Sequence, residues 1–538
     1  MTVNKKNPAP LGMMAVALLV LAWWAATACL RPLMLPDEGR YVGIAWEMLR
    51  SGDWLTPTIN GLPYFHKPPL FYWITASSLW LFGNHEGAAR VAPLLGALAG
   101  SWASYAFLRR WWSERAGRMG LLVLMAQPFW IMGAQFANLD TLVAGCIVAT
   151  ICLLAHAVML AEHALPYRRV LLAAWGMAAL GVLAKGLIGF VLPALVVFLW
   201  LAVQRRWRRL GSLFWWAGPL LFLCLAAPWF VAMQQRFPDF LYYFFVVQHF
   251  KRFAETGFNN VMPLWFYPAV LALFFLPWLP WMARACRPLG SGASPEHRSV
   301  RLLLWIWAAV IVGFFSLPQS KLLGYVMPAV VPLAALAAQG YLSRERVSRL
   351  QSGLWFLAAG TGTALALGAL TWLTVHPQKS MRAFAQTLSE SREAAEPVVM
   401  LDTYYFDLPF YAGLRTPVAV IENWDDPAIQ RRDDQRKEIA DAGQFDRAAA
   451  SVRLLLPASL PRLLCRSGVV WVLGPSREME RYPYLAEAAS AYRGNAMTLW
   501  RLETGRPAVA AQLGCSQMPY DDALRQSPAP LSEARVPG

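Results

Sequence analysis

Residues 141–160 read TLVAGCIVATICLLAHAVML and contain no charged side chain. About 20 apolar residues are enough for a helix to cross the hydrocarbon core of a bilayer. The whole chain of 538 residues continues this pattern, because it is 57% hydrophobic and only 15% charged, whereas a soluble domain has about 25% charged residues. The sequence therefore excludes a single water-soluble globule and predicts a mainly α, polytopic membrane protein.

Apolar windows of this kind recur along residues 11–374. They predict about 11 transmembrane helices, or about 13 if a long stretch is divided. The segment Leu70–Phe82 is apolar and aromatic but too short for a full span, so we expect a helix at the membrane interface. The windows are 11–30, 88–108, 119–136, 141–160, 170–184, 186–203, 212–233, 264–283, 301–317, 322–340 and 353–374.

The excess of 48 Lys and Arg over 32 Asp and Glu gives a net charge of +16. The basic residues stand in short runs between apolar windows, which indicates cytoplasmic membrane loops and not a nucleic-acid surface. Threading the windows alternately puts every run on one side, so the N-terminus is predicted inside and the chain after 374 outside. The first helix is expected to be retained, since its apolar run exceeds that of a signal peptide. The runs are Lys5–Lys6, Arg109–Arg118, Arg168–Arg169, Arg205–Arg209, Arg284–Arg301 and Arg344–Arg349.

Three regions follow from this map. Residues 1–374 form the transmembrane region, with a first outside loop at 31–87. Residues 375–515 predict an outside α/β domain, because strand-like runs at 397–401, 418–421 and 469–473 alternate with charged helical stretches such as 428–450. The Pro-rich tail 516–538 is expected to be unfolded. Cys465 and Cys515 would lie in an oxidising compartment. The sequence does not decide whether they form a disulfide or stay as free thiols.

Ionisable side chains of mixed sign gather on the predicted outside face. Charged residues near membrane depth are costly and usually functional. Each of these residues alone could equally be a solvated loop residue, but the mixture suits a substrate that carries phosphate. Cations neutralise phosphate oxygens. Carboxylates orient hydroxyl or ammonium groups or act as a general base. The set is Asp37, Glu38, Arg40, Tyr41, Tyr64, His66, Lys67, Asp140, Lys185, His249, Lys251, Arg252, Lys321 and Tyr325.

Three motifs of the first loop carry a family resemblance. The stretches 35–43 (LPDEGRYVG), 52–57 (GDWLTP) and 60–70 (NGLPYFHKPPL) resemble those of polyprenyl-phosphate-sugar-dependent glycosyltransferases with the GT-C fold, and among these the aminoarabinose transferase (ArnT) family. Weaker similarities follow in the expected order at 138–140, 183–186, 248–253 and 321–325. The resemblance covers the transmembrane region and extends loosely over the outside domain.

The resemblance implies a role for each matching residue. Asp37 would be the principal catalytic carboxylate, with Glu38 beside it and Asp140 as the second acid. Lys67, Arg252, Tyr325 and Lys185 would bind the donor phosphate, while Arg40, Tyr41 and Tyr64 would line the cavity.

A metal site is also implied, at His249 and a position that is usually Glu and is His66 here. Catalytic zinc generally has three protein ligands, so the sequence requires no cofactor and leaves a divalent metal such as zinc open.

The implied activity is transfer of an amino sugar, 4-amino-4-deoxy-L-arabinose or a hexosamine, from undecaprenyl phosphate to a lipid A phosphate. The reaction would invert the anomeric carbon at the periplasmic face of the bacterial inner membrane, with membrane lipids as surroundings and no nucleic acid as partner. Two alternatives remain open at this point. The same fold could glycosylate protein, as an O-mannosyltransferase does, or the chain could transport lipid-linked sugar, although a transporter is expected to place its charges at the midplane.

Overall fold

The structure is a computed structural model that describes residues 22–251, 260–290, 292–343, 347–376, 379–432 and 434–515, with side chains for all of these except 249–251. The first predicted helix, 11–30, therefore lies largely outside the described residues, and the predicted tail 516–538 lies wholly outside them.

Six helices are long and apolar enough to cross a membrane within the described ranges, or up to seven if a bent pair is one span. The pair, Phe266–Phe274 and Leu276–Ala285, is bent by 72°. The chain is thus a multi-pass membrane protein. The six are Val91–Trp111, Leu139–Glu162, Ala217–Arg236, Pro295–Ser316, Leu323–Leu342 and Arg349–Val375.

The other predicted windows form helices that are short, broken or charged at their ends. Window 119–136 is divided at Gln127, which caps a second helix that begins with Pro128. Window 322–340 starts as a 3-10 helix, Leu323–Ala329, before α-helix Val330–Leu342. The remaining helices of this region are Glu86–Ala89, Glu114–Ala126, Pro128–Ala134, Arg168–Lys185, Ile188–Val203, Trp207–Leu213, Leu279–Ala285 and the π-helix Tyr242–Lys251.

The first loop folds as a helix, a hairpin and a second helix. Helix Asp37–Ser51 ends at Gly52, whose φ of +70° suits a residue without a side chain. Strands β1 (Thr58–Ile59) and β2 (Leu62–Pro63) are joined by Asn60 and Gly61, both at positive φ as a tight hairpin turn requires. The interfacial helix is observed at Leu70–Phe82, the segment that the sequence predicts.

The described chain divides into two compact units that are not consecutive in sequence. Within the described ranges, unit 1 contains the residues up to Gln386, Tyr405–Pro417 and Asp426–Ala450, and unit 2 contains Thr387–Tyr404, Val418–Asp425 and the residues from Ser451 to Cys515. Part of the C-terminal region thus belongs to the membrane unit. Of the helices after the last span, Leu408–Ala412, Pro427–Arg431 and Gln435–Gly443 belong wholly to unit 1, whereas Arg382–Ser391 and Arg447–Arg453 each cross a boundary between the units.

The return of residues 405–417 to unit 1 requires two glycines on the Asp37–Ser51 helix. A Cβ on Gly39 would lie 3.0 Å from the Cβ of Asp407, and one on Gly43 would lie 2.9 Å from the carbonyl oxygen of Phe406. Both glycines stand one turn apart on one helix face, so the absence of side chains lets this backbone approach. The Tyr411 hydroxyl also accepts a hydrogen bond of 2.7 Å from the amide of Leu33.

Unit 2 is built on a six-stranded mixed sheet in the order β5-β4-β3-β6-β8-β7. Strands β3 to β6 are joined in parallel, whereas β8 is antiparallel to β6 and β7. The sequence predicted β3, β4 and β6 as apolar runs. The strands are β3 (Val398–Leu401), β4 (Ala419–Ile421), β5 (Leu454–Leu455), β6 (Val469–Pro475), β7 (Ala489–Gly494) and β8 (Met497–Glu503). The short helices of this unit are Pro457–Ser459, Leu460–Leu464, Glu478–Arg481, Pro483–Glu487 and Pro507–Leu513.

Cys465 and Cys515 form a disulfide in unit 2. This resolves the alternative that the sequence left open in favour of the bond. Disulfides persist in oxidising compartments, so the bond agrees with the predicted placement of this unit outside the cytoplasm.

Candidate active site

The helix Asp37–Ser51 presents the first predicted site residues. Asp37 and Glu38 lie in its first turn, where carboxylates interact favourably with the positive end of the helix dipole. Their environments differ sharply: the Asp37 side chain is 40% exposed, whereas that of Glu38 is completely buried. Asp37 can therefore contact a substrate, whereas Glu38 can contact only protein.

Glu38 occupies a structural position. Its two oxygens accept hydrogen bonds from the guanidinium groups of Arg31 and Arg90 and from the amides of Met34 and Ala137. Burial alone would raise the pKa of Glu38, but the charges of Arg90 and Arg31 outweigh burial and lower the pKa to about 2. Because these donors occupy both oxygens and no surface is exposed, the environment of Glu38 does not support the catalytic role predicted for it.

Arg40 lies at the centre of a buried acid–base cluster. Its Nη2 donates to Oδ1 of Asp37, and its Nη1 forms an ion pair with Oε1 of Glu438. The hydroxyl of Tyr64 lies 3.4 Å from the other oxygen of Glu438, and the Arg40 guanidinium stacks 4.7 Å from the centre of the Tyr41 ring. Burial would lower the pKa of Arg40, yet Glu438 above all raises it well above its ordinary value. Arg40 therefore remains cationic.

Two buried polar atoms in this cluster have no hydrogen-bond partner among the described residues. They are Nε of Arg40 and the hydroxyl of Tyr72, a side chain with no exposed surface. The Tyr72 ring centre lies 6.4 Å from that of Tyr41. Buried polar groups are nearly always paired, so these two atoms mark a place where a further polar group can be bound.

A second cluster joins Asp140, Lys185 and Tyr325. Asp140 lies in the first turn of helix Leu139–Glu162, and Lys185 is the last residue of helix Arg168–Lys185. The two form a buried ion pair, and Nζ of Lys185 lies 4.2 Å above the Tyr325 ring. These three residues also line a narrow crevice with Gly324 and Phe315. Two consecutive helices and the distant 3-10 helix Leu323–Ala329 thus deliver the predicted residues to one point.

The two clusters act on the same hydroxyl. Burial raises the pKa of Tyr41, Arg40 lowers it, and the charges of Asp37, Glu438 and Asp140 each raise it further. The charges of carboxylates from both clusters therefore act on Tyr41, and the net effect is a raised pKa that keeps its hydroxyl neutral. Asp37, Tyr41 and Tyr64 lie together around Arg40 and Glu438. Asp140 lies in the cluster with Lys185.

His66 and Lys67 lie in the loop between β2 and the Leu70–Phe82 helix. The His66 ring stacks on Tyr64 at 4.6 Å between centres, and its Nε2 lies 3.9 Å from Oδ2 of Asp441. Lys67 is half-buried. Two other predicted residues cannot be placed, since Arg252 lies outside the described residues and His249 is described by its backbone alone.

The described residues give limited support to a metal site. No group of three or more His, Cys, Asp or Glu side chains within them could hold a metal ion. Asp441 is the carboxylate recorded next to His66, and it also binds Nζ of Lys437 through both oxygens. The metal assignment to His66 and His249 stays a prediction, and we assign no reaction step to a metal.

Sequence reasoning missed Glu438 and Asp441. Both lie on helix Gln435–Gly443 of unit 1, and the hydroxyl of Tyr243 donates to Asp441 at 3.3 Å. The residues stand in a charged stretch that resembles a solvated helix. The one sequence signal was the predicted helix at 428–450, which does not indicate which carboxylates are buried.

Comparisons with known proteins identify relatives of this chain. The family model for dolichyl-phosphate-mannose-protein mannosyltransferase matches residues 66–231. The undecaprenyl phosphate-alpha-4-amino-4-deoxy-L-arabinose arabinosyl transferase of Edwardsiella ictaluri is 33% identical over 383 residues, which are 68% of this chain and 67% of the relative. The corresponding enzyme 1 of Sodalis glossinidius is 35% identical over 64% of this chain, which spans 61% of that relative.

The crystal structure of ArnT from Cupriavidus metallidurans bound to undecaprenyl phosphate has the same fold, with a TM-score of 0.76 at 24% identity over 92% of this chain and 98% of that one. The prediction of a GT-C membrane fold with a C-terminal α/β domain is confirmed, and the sheet of that domain is mixed. The chain belongs to the family of undecaprenyl phosphate-aminoarabinose arabinosyl transferases, the ArnT branch of the GT-C glycosyltransferases.

Proposed function

We propose that this chain transfers 4-amino-4-deoxy-L-arabinose from undecaprenyl phosphate to a phosphate of lipid A, on the periplasmic side of the bacterial inner membrane. The observation that carries the proposal is the pairing of each candidate carboxylate with a cation: Asp37 and Glu438 both bind Arg40, and Asp140 binds Lys185. A site with paired charges of both signs suits a zwitterionic donor, an amino sugar joined to a phosphate. The names of the relatives supply the sugar and the carrier lipid.

The bond changes balance without an added reactant. An oxygen of the acceptor phosphate forms a bond to the anomeric carbon of the sugar, while the bond from that carbon to the undecaprenyl phosphate oxygen breaks. The electron pair of the broken bond leaves with the carrier phosphate, and the configuration inverts. A phosphate monoester has a second pKa of about 6, so the attacking oxygen is already anionic near neutral pH.

The cations of the site neutralise charge on the leaving phosphate. Fixed positive charge in a water-poor site stabilises such a transition state strongly. Lys67 and Arg252 would grip the carrier phosphate, with Tyr325 and Lys185 beside them. Because Asp140 is ion-paired with Lys185, we assign Asp140 the task of positioning Lys185 instead of moving a proton.

Asp37 would contact the substrates directly. It is the most exposed carboxylate of the Arg40 cluster, since its side chain is 40% exposed and that of Glu438 is 11% exposed. With an anionic acceptor no general base is needed, so Asp37 would orient the ammonium group of the sugar or the acceptor.

Mass spectrometry of lipid A tests the proposal. Lipid A from cells that express the chain should gain the mass of a pentosamine, and cells with the Asp37→Asn variant should not. A mass increment that matches a hexosamine would show that the transferred sugar is a hexosamine. Unmodified lipid A together with mannosylated protein would favour the activity in the description of the matching family model and overturn the lipid acceptor.

A further inference from the structure

A groove lies on one face of the Val91–Trp111 helix, near its C-terminal end. It has a volume of about 420 Å³ and is remote in sequence from the first-loop motifs. Its lining residues recur at helical spacing, so they form a single stripe along the helix. They are Trp102, Tyr105, Ala106, Arg109 and Arg110.

Positive charge exceeds negative charge at the end of this groove. Nε of Arg109 lies 2.6 Å from Glu114, and Nε of Arg118 lies 3.0 Å from the same carboxylate. The hydroxyl of Tyr105 also donates to Glu114, at 2.9 Å. Arg110 forms no ion pair within the described part of the chain, and its guanidinium lies 5.1 Å from the centre of the Trp111 ring. Two guanidinium groups therefore share one carboxylate, and Arg110 adds a third positive charge that has no carboxylate beside it among the described residues.

The stripe changes from apolar to charged along the helix. Trp102 is 68% exposed although it belongs to a membrane-span candidate, so it faces lipid and not protein. Its ring lies 5.7 Å from that of Tyr105, and the arginines follow one turn later. Aromatic rings prefer the headgroup level of a bilayer, and arginines beyond them meet the phosphates.

We propose that this groove is a binding site for one anionic phospholipid, with the headgroup phosphate between Arg109 and Arg110 and an acyl chain along Trp102 and Ala106. Guanidinium groups bind phosphate oxygens with directed hydrogen bonds. An exposed tryptophan beside arginines that carry excess positive charge complements a molecule that is anionic at one end and apolar at the other. A protein partner would have to cover both the apolar end at Trp102 and the charged end at Arg109 and Arg110. No feature of the groove favours such a partner. The predicted orientation places the site in the cytoplasmic leaflet.

Native mass spectrometry of the full-length chain in detergent tests this site. The probes are dioleoylphosphatidylglycerol and, as the neutral counterpart, dioleoylphosphatidylcholine. The double variant Arg109→Ala/Arg110→Ala should bind the first phosphatidylglycerol about tenfold more weakly. The control Arg205→Ala/Arg208→Ala removes the same charge from two exposed arginines elsewhere in the chain and should change the affinity less than about twofold.

Two milder variants serve if the double variant does not fold. Arg110→Gln removes a guanidinium that has no recorded ion pair, and Trp102→Leu removes only the exposed ring. Each should weaken phosphatidylglycerol binding several-fold and leave phosphatidylcholine binding unchanged. Equal losses in the two double variants, equal affinity of the wild type for both lipids, or unchanged binding in the milder variants would each overturn the proposal.

Discussion

Arg40 and Glu438 form a buried ion pair although 398 residues separate them in the sequence. Arg40 belongs to the first loop, and Glu438 to a helix that follows all the membrane spans. The ion pair fixes the guanidinium group of Arg40, which also donates a hydrogen bond to Asp37. Part of the C-terminal region therefore determines the geometry of the proposed catalytic carboxylate.

Removal of either partner should destabilise the protein and lower the transfer rate. Glu438→Gln leaves a buried guanidinium without its main counter-charge, a change that costs about 3–5 kcal/mol. Thermal unfolding in detergent should show this loss, and the double variant Arg40→Met/Glu438→Leu should be more stable than the sum of the single effects predicts. Additive effects of the two substitutions would contradict the coupling.

Asp37→Asn and Lys67→Ala should each reduce transfer by about 10²-fold or more, because they remove charge from the reacting groups. The variants should fold, since Asp37 is 40% exposed and Lys67 is only half-buried. Initial rates with purified donor, alongside unfolding curves, measure both properties. Glu487→Gln, at an exposed carboxylate of unit 2, is the control and should keep full activity. Near-normal transfer by either site variant would remove that residue from the mechanism.

Glu38→Ala should destabilise the protein by about 3 kcal/mol or prevent its folding, because Arg31 and Arg90 would remain buried without a counter-charge. The pKa of Glu38 is lowered from 4.5 to about 2 by these arginines against the effect of burial. The stabilisation is thus fully present above about pH 4.5 and disappears as the pH falls towards 2. A stable Glu38→Ala variant without transfer activity would instead favour the catalytic role.

Asp407→Asn should make unfolding less sensitive to pH. Burial raises the pKa of Asp407 to about 7, and only Oδ2 is bonded, to the Ser380 hydroxyl and the Met381 amide. The folded protein therefore retains this proton where the unfolded chain has lost it, and stability falls as the pH rises from about 4 to 7. At pH 8 the free energy of unfolding of the variant should exceed that of the wild type by about 1–3 kcal/mol. The variant should therefore unfold at a higher temperature. Parallel pH profiles of the two proteins would contradict this.

Replacement of Cys465 and Cys515 by serine should lower the stability of unit 2 by about 2–4 kcal/mol. The disulfide joins residues 50 positions apart, so it restricts the unfolded chain considerably. Unfolding of the wild type with and without reductant gives the same comparison without a substitution. The two measurements should agree, and a wild type insensitive to reductant would show that the bond does not form.

Much of the fold follows from patterns that depend on neighbours in sequence. The span Leu139–Glu162 is a continuous apolar stretch, and the interfacial helix Leu70–Phe82 has the bounds that its apolar run predicts. Breaks within windows are harder to predict, because they depend on local capping. Gln127, which bonds to the amide of Trp130 just where Pro128 enters, divides a window that composition alone shows as continuous.

The candidate site shows the same limit. Asp37, Arg40 and Asp140 are found from motifs and from the cost of charge near a membrane. The contrast between exposed Asp37 and buried Glu38 arises from Arg90, 52 positions after Glu38, and no local pattern contains it. Glu438 could not be predicted for a related reason. The sequence of its helix is typical of a solvated helix, and the burial of Glu438 depends on its contact with Arg40 near the other end of the chain.

The interleaving of the two compact units has a consequence for biosynthesis. Since residues 405–417 and 426–450 belong with the membrane unit, a ribosome-bound chain that has just inserted its last span still lacks the counter-ion of Arg40. The enzyme is completed only when residues 405–417 and 426–450, which are translated after the last span, have joined unit 1. Truncation after the spans should therefore yield an inserted but inactive protein.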